Sequence, residues 1–397
     1  MYAERAFRQP LVAFLVGLGM LAAGVTSAAG PALAFAGDYL GVFLGTNTAA
    51  RAAPRHRTRS PGWPDAGRAP SGTPRATDRI GPVATPLVID TDPGIDDALA
   101  ILLALASPEV ELRLVTTVHG NVELAQTTDN ALRVLHLAGR SDVPVAAGAR
   151  DSLVYRQPER AGHVHGETGL GGVELEPSPA APDPRPAVVA MAEVLLAAEA
   201  PVTVAAIGPW TNIALLLATY PEAAERIGRL VLMGGSAARG GNVTAAAEFN
   251  VWADPEAAQR VLGSGVPTVL VGLDVTLPTV LDADGIARFA AAGPVGATAA
   301  AILQQYVDHA RTSYGTTGVV LHDALALTEA IVPGTLGTVR RDVVVDTTLG
   351  AGRGQTLVDR RSVSSSATAV EVAETVDSAA AVEFLVSRLE GLARSSY

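Results

Sequence analysis

The stretch Leu87-Val-Ile-Asp-Thr-Asp-Pro-Gly-Ile-Asp-Asp-Ala-Leu-Ala-Ile-Leu-Leu-Ala-Leu105 constrains the fold more than any other part of the chain. A short apolar run, Leu87 to Ile89, has the make-up of a buried strand, and the apolar stretch that closes the segment is long enough for a helix. Between them stand four carboxylates, Asp90, Asp92, Asp96 and Asp97. Side chains alternate along a strand, so Asp90 and Asp92 are expected on one face. Pro93-Gly94 turns the chain, and Asp96 and Asp97 open the helix that follows. All four acids are therefore expected to converge near one strand end.

Like charges a few ångströms apart repel unless something positive lies among them. A hard cation answers that need. Calcium, which takes about six to eight oxygen ligands in a flexible arrangement, suits a carboxylate cluster at the carboxyl end of a strand. Helix capping alone would account for Asp96 or Asp97 but leaves Asp90 and Asp92 unexplained. An EF-hand loop does not fit, because position 12 counted from Asp90 is Ile101, where a bidentate Glu is required.

The 397 residues can hold two average domains or one large α/β domain with extensions. An apolar share of 48% is ample for a large core, and the few aromatics and many alanines favour helices packed closely on a sheet. A formal net charge of -11 argues against a general nucleic-acid binder, which would show a basic face, and leaves small ligands. There is no cysteine, which excludes disulfides, thiolate zinc sites and cysteine nucleophiles and leaves the redox compartment undecided.

Residues 1–37 carry Arg5 and Arg8, then an uncharged stretch from Gln9 to Gly37 with small-residue sites at Ala32-Leu-Ala34 and Ala34-Phe-Ala36, the layout of an export signal. The uncharged stretch is also long enough to span a bilayer as an uncleaved anchor. A start codon assigned too far upstream of a cytoplasmic protein is the third reading. The expected location is therefore exported or membrane-attached, or cytoplasmic if the start is misassigned. Residues 38–86 turn to Arg, Pro, Gly, Ser and Thr, as in Arg55-His-Arg-Thr-Arg-Ser-Pro-Gly-Trp-Pro64. Without periodic apolar residues this segment cannot offset the entropy of ordering, and a disordered linker is expected.

From Leu87 onward the pattern is regular, and residues 87–397 are expected to form the folded domain. Apolar runs at about 112–118, 143–146, 202–207, 229–233 and 267–273 read as buried strands. Helical segments at about 97–106, 122–138, 187–198, 211–219, 254–263 and 297–311 lie between them. Edge strands and turns are expected over 333–349 and 354–358, and a closing helix over 378–392. Strand and helix in alternation predict an α/β fold, a mostly parallel open sheet covered by helices on both faces. Ligands in such sheets bind beyond the carboxyl ends of the strands.

The chemistry-bearing residues fall at those ends. Val118-His-Gly-Asn-Val122 puts Asn121 after the second strand, where it either stabilises a turn or reaches a ligand. Ala161-Gly-His-Val-His-Gly-Glu-Thr-Gly-Leu-Gly-Gly172 is a glycine-rich loop bearing His163 and His165. It lacks the Lys of a P-loop, and a lid that brings a histidine over a ligand fits it better. After Val202-Thr-Val-Ala-Ala-Ile207 the exposed carbonyl of Ile207 offers a neutral oxygen to a cation. Asn242, Glu248 and Asn250 supply donors and acceptors suited to sugar hydroxyls. Asp254 reads as an N-cap with Pro255 at the first helical position. The adjacent His322-Asp323 pair opens an apolar helix, as a cap or as chemistry.

Taken in order, Asp90-Thr-Asp-Pro-Gly-Ile-Asp-Asp97, Val118-His-Gly-Asn121, His163-Val-His-Gly-Glu-Thr-Gly-Leu-Gly171, Gly208-Pro-Trp-Thr-Asn-Ile213, Val231-Leu-Met-Gly-Gly235, Ala247-Glu-Phe-Asn250, Asp254-Pro-Glu-Ala257 and His322-Asp323 resemble the inosine-uridine preferring nucleoside hydrolase family. The resemblance runs from Leu87 to the C-terminus and makes 87–397 the catalytic domain, with a nucleoside hydrolase-like, Rossmann-like core. It implies calcium-dependent hydrolysis of the N-glycosidic bond of ribonucleosides to ribose and free base, a reaction of purine and pyrimidine salvage. It also implies that Asp92, Asp97 through both oxygens, Asp323 and the carbonyl of Ile207 hold the calcium. Asp92 would be the general base on a metal-bound water. Asp96, Asn121, Asn242, Glu248 and Asn250 would hold the ribose. His322 would stand near the base as the candidate acid, with His165 second, and Asp90 would support the metal shell. Base-contacting aromatics lie on variable segments in the family; Tyr306, Tyr314 and Trp252 are the candidates, and base preference stays open. A homo-oligomer, dimer or tetramer, is expected.

Direct attack by water suits this layout, since carboxylates near the sugar stabilise an oxocarbenium-like transition state without a covalent nucleophile. Two other classes compete. A haloacid dehalogenase-type phosphatase would use an Asp-x-Asp motif after a strand, but Pro93-Gly94 replaces its usual continuation. A non-catalytic nucleoside or ribose receptor would need neither a metal-poised Asp92 nor His322-Asp323.

Overall fold

The computed structural model describes residues 84–155, 161–314 and 317–395. The signal, anchor and linker expectations for 1–37 and 38–86 lie outside these residues, except that the first strand, expected at Leu87, begins at Thr85.

The described strands are β1 (Thr85–Thr91), β2 (Val110–Thr117), β3 (Val145–Ala147), β4 (Val202–Ala206), β5 (Ile227–Met233), β6 (Thr268–Val271), β7 (Val280–Leu281), β8 (Val319–Val320), β9 (Leu336–Arg341), β10 (Val343–Val345), β11 (Thr356–Val358) and β12 (Val370–Val376). Eight of them form one sheet in the order β3-β2-β1-β4-β5-β6-β12-β9. Every neighbouring pair is parallel except β12 with β9. The mostly parallel open sheet expected from the sequence is therefore present. β12 is the one sheet strand that no apolar run announced. It reads Val-Glu-Val-Ala-Glu-Thr-Val, and its place between β6 and β9 is set by partners far away in sequence.

Alternation explains the two covered faces. Leu87 and Ile89 enter one core and Val88 the other; Ala205 and Val231 join the first, Val204, Leu230 and Leu232 the second. Helices Ile95–Leu105, Leu124–Leu137, Pro294–Tyr314, Asp323–Ile331 and Ser378–Ser395 pack on the first face. Ala187–Ala197, Thr211–Thr219 and Pro255–Leu262 pack on the second.

Beyond Asp96 and Asp97 in its first turn, the helix Ile95–Leu105 is apolar on all sides, and it is buried from Ile95 to Ala104, as a helix sandwiched between layers must be. Leu99, Ile101, Leu102 and Leu103 are each almost fully buried, worth about 1.5–3 kcal/mol apiece. Its packing partner beyond the sheet is the equally buried helix Asp323–Ile331. That packing sets the two amino-terminal ends side by side. Strand order reverses between β1 and β4, so the crevice beyond their carboxyl ends is the expected ligand position in an open α/β sheet. Among the described residues no helix is long and apolar enough to cross a membrane.

Candidate active site

Asp92 leaves β1 in that crevice, and its surroundings are built to a close fit. Its Oδ2 accepts the backbone N–H of Asn121 at 2.7 Å. A Cβ on Gly120 would lie 1.9 Å from Oδ2, and one on Gly208 would lie 2.6 Å from Oδ1. Glycine is thus required on both sides of this carboxylate. Burial, then the charge of Asp97, pushes the Asp92 carboxyl well above its usual range.

Asp97 ties the turn together. Its Oδ1 accepts from Thr91 Oγ1 at 2.5 Å and from Asp92 N at 3.3 Å, while Oδ2 accepts from Gly94 N at 2.9 Å and Asn121 Nδ2 at 3.0 Å. Those four donors fill the lone-pair directions of a carboxylate, so a cation held through both oxygens shares or displaces some of them. Single oxygens of Asp96, Asp97 and Asp323 all lie within 4.8 Å of one another, and all three side chains are buried. Burial, then Asp97, raises Asp96 to about 8. Burial, then the charges of Asp96, Asp97, Asp92 and Glu248, raises Asp323 well above its usual value. Two helix amino-terminal ends ease the repulsion only in part, each worth about 0.3–1 kcal/mol per charge.

Asp90 does not join this group. It sits two residues back along β1, about 6–7 Å from Asp92 at the usual strand rise, where its Oδ1 accepts from Thr116 Oγ1 at 2.5 Å and Asn212 Nδ2 at 2.8 Å. Its Oδ2 is buried without a hydrogen-bond partner, and burial lifts its carboxyl to about 7. Of the four acids expected to converge, Asp96 and Asp97 meet, joined by Asp323; Asp92 stands close enough for their charges to act on it, and Asp90 stands outside. Asp90 acts on the crevice through its backbone, whose carbonyl accepts Ile207 N at 2.8 Å and so fixes the end of β4.

The carbonyl of Ile207 accepts Asn250 Nδ2 at 2.7 Å, which leaves a second lone pair on that oxygen. Asn250 also donates to Met233 O at 3.1 Å, pinning β4 to β5. Glu248 caps the helix Phe249–Ala253: Oε1 accepts Asn250 N at 3.0 Å, and Oε2 accepts Gly235 N at 2.8 Å and Val251 N at 3.2 Å. Despite these bonds, burial raises it to about 7. Asn242 stands apart: it is exposed, and its Oδ1 accepts Phe249 N at 3.0 Å.

His165 lies on the short helix Gly162–His165 of the glycine-rich loop and is buried against the first turn of Ile95–Leu105, where its Nδ1 accepts Ile95 N at 3.0 Å. That nitrogen is 3.9 Å from Asp96 Oδ1, within reach of an ion pair. Burial lowers the imidazole to about 3, however, so the contact joins a neutral ring to a carboxyl. The ring of Tyr306 meets His165 edge-on at 5.6 Å. His322 is half-buried, with Nδ1 2.9 Å from Thr276 Oγ1, and burial lowers it to about 4. Trp252 packs near Phe249 at 6.4 Å, and the side chain of Tyr314 lies outside the described residues. Thr91, Thr116, Asn212 and Thr276 grip the site residues, and no local signal marks them. Thr91 and Asn212 fall within the recognised motifs, but the donation of Thr91 to Asp97 and of Asn212 to Asp90 needs the fold to be seen.

A cavity of about 580 Å³ lined by Leu217, Glu225, Arg260 and Val266 opens near the amino-terminal ends of β5 and β6 and contains none of these residues. The carboxylates instead form a buried set of hard oxygen donors whose mutual repulsion calls for a divalent cation, and the residues present fit one.

A mostly parallel α/β sheet with a carboxylate pocket at its switch point defines a class of α/β proteins that bind small polar ligands. The chain belongs to one family within it: the model of the inosine-uridine preferring nucleoside hydrolase family matches residues 87–383. The chain is 42% identical over 310 residues to the pyrimidine-specific ribonucleoside hydrolase RihA of Salmonella gallinarum, covering 78% of this chain and 99% of that protein. Among solved structures, a purine-preferring ribonucleoside hydrolase from Gardnerella vaginalis superposes with a TM-score of 0.74 at 34% identity, over 78% of this chain and 99% of that one. The plant nucleoside hydrolase PpNRh1 gives 0.72 at 32% identity, over 77% and 98%. The chain is a ribonucleoside hydrolase, and the phosphatase and receptor alternatives fall.

Proposed function

We propose that this chain hydrolyses pyrimidine ribonucleosides to ribose and free base, with calcium as cofactor and Asp92 as the general base. The observation that carries the reading is the buried convergence of Asp96, Asp97 and Asp323 beside Asp92. Asp92, Asp97, Asp323 and the carbonyl of Ile207 would hold the ion, all hard oxygen donors. When bound, calcium would supply the charge that keeps these carboxylates ionised and would orient the ribose and the attacking water.

Asp92 takes the proton of the attacking water on Oδ1, because Oδ2 is committed to Asn121 N. Asp96, Asn121, Glu248 and Asn250 orient the ribose, and Asn242 reaches it from the rim. Negative carboxylates around the sugar stabilise the positive charge that develops at the anomeric carbon. His322 and His165 are held neutral by burial, so each offers an N–H hydrogen bond to the departing base, whose proton comes from solvent. The pyrimidine preference rests on the name of the 42% identical relative.

The test is release of ribose from uridine, cytidine and inosine, in chelator and after calcium is restored. Undiminished turnover by metal-stripped protein would sink the cofactor, and faster cleavage of inosine than of uridine would sink the base preference. We further propose export or membrane attachment through residues 1–37, supported by the uncharged Gln9–Gly37 stretch, and assembly as a dimer or tetramer. An intact Met1 in the soluble fraction by mass spectrometry, or a monomer by sedimentation, would overturn the respective statement.

A further inference from the structure

We infer that His119, Thr211 and Asp254 form a buried positioning relay that holds the loop bearing Asn121 against Asp92, and thereby sets the rate of the chemical step without touching substrate. The inference rests on the reading of Asp92 as the base.

The relay is a chain of hydrogen bonds with one direction. Asp254 Oδ2 accepts Thr211 Oγ1 at 2.8 Å, so the Thr211 hydroxyl hydrogen is spent there. The Thr211 oxygen, 3.1 Å from His119 Nε2, can then only accept, which places a hydrogen on Nε2 of the ring. Asp254 and Thr211 are fully buried and His119 nearly so. Bonds of this kind strengthen one another in a low-dielectric interior and are costly to leave half made.

Capping does not account for the arrangement. Asp254 does cap the helix Pro255–Leu262, but Oδ1 alone serves that purpose by accepting Ala257 N at 3.1 Å. Its second oxygen is directed to Thr211 and to Leu153 N at 2.9 Å. A helix cap needs one oxygen; this carboxylate uses two.

The other end of the relay leads to the base through a segment without slack. His119 N donates to Ala149 O at 3.0 Å, Gly120 passes so close to Asp92 that no Cβ fits, and Asn121 N meets Asp92 Oδ2 at 2.7 Å. Any drift of His119 is handed directly to the carboxylate. Asn212 performs a parallel task one residue along, donating to Asp90 Oδ1 at 2.8 Å and Thr117 O at 3.0 Å. The first turn of the helix Thr211–Thr219 thus braces both β1 and the Asn121 loop from behind the site. A displacement of well under an ångström at a base is enough to slow chemistry severalfold or more.

The experiment is steady-state hydrolysis of uridine by the full chain with calcium present, comparing Thr211→Val, Thr211→Ser and Asp254→Asn. Valine keeps the shape and loses the hydroxyl, serine keeps the hydroxyl, and asparagine keeps the cap but presents an amide where Oδ2 accepts. Thr211→Val and Asp254→Asn are expected to lower kcat about tenfold with KM within about threefold, and the double variant to be about as slow as the slower single. Thr211→Ser is expected to stay within about twofold of the parent. Parental kcat in Thr211→Val, equal losses in the valine and serine variants, or fully multiplicative losses in the double variant would each overturn the relay. If Thr211→Val does not fold, His119→Gln against His119→Leu makes the same comparison, since glutamine carries an N–H to about the position of Nε2. Parental kcat in Asp92→Ala, by contrast, would overturn the base assignment itself.

Discussion

Asp92 is closed in by Gly120, Gly208 and the Asn121 N–H. Its removal should therefore be felt in chemistry and hardly in folding. Asp92→Ala is expected to lower kcat by about a thousandfold or more, measured as ribose release at saturating uridine, with the thermal midpoint kept or raised because a buried like charge is gone. Gly120→Ala should be felt in both. A methyl 1.9 Å from Oδ2 must displace the loop or the carboxylate, so a loss of about 1–3 kcal/mol of stability and a fall in kcat of about tenfold or more are expected together. A Gly120→Ala variant with parental melting and turnover would show that the loop gives way freely. The acids themselves were legible, because Asp92, Asp96 and Asp97 lie in one strand-turn-helix segment and Asp323 opens another helix. What could not be read was which of them meet. Asp90 looks equivalent to Asp92 by alternation, and only Thr116 and Asn212, from a neighbouring strand and a helix about 120 positions on, take it out of the cluster.

The helices Ile95–Leu105 and Asp323–Ile331 are the elements that make the site, since their packing sets Asp97 beside Asp323. Both were legible as apolar helices opened by aspartates. Their adjacency was not, because long apolar helices carry no face that names a partner. The same limit hid β12, whose glutamates look like solvent-facing residues until Thr338 and Arg341 of β9 pair with Glu371 and Glu374. One buried residue anchors the far end of the second helix. Glu329 pairs with Arg229 of β5 and accepts Gly334 N at 3.1 Å and Leu336 N at 2.8 Å, joining helix, central strand and the start of β9. Glu329→Ala leaves those donors unmet and is expected to cost about 3–5 kcal/mol, read by chemical denaturation. Turnover well below the melting range should stay near the parent, because Glu329 is two turns from Asp323. A stable Glu329→Ala variant, or one that melts normally and is inactive, would contradict this division.

At the scale of the whole molecule the crowded carboxylates make stability depend on pH in a direction set by their shifts. Burial raises Asp90 and Glu248 to about 7 and Asp96 to about 8, from ordinary values of 3.8, 4.5 and 3.8. A group whose folded value is raised favours the fold when protonated, so its contribution is whole below the ordinary value and is lost as pH climbs through the raised one. His165 and His322, lowered from 6.5 to about 3 and about 4, act oppositely but only below 6.5. The exposed pairs that lower Asp142 and Asp183 act lower still. Above 6.5 the buried acids are left alone. The metal-free protein should therefore lose thermal midpoint steadily as pH rises from about 6.5 to about 8. A divalent cation among ionised carboxylates reverses the sign, since binding strengthens as protons leave. Calcium at about a hundredfold above its Kd should raise the midpoint by about 5 °C or more, with the larger gain at the alkaline end. Scanning calorimetry across that range, in chelator and in calcium, decides the matter: superimposable, flat profiles would mean that the carboxylates are neither strained without an ion nor relieved by one.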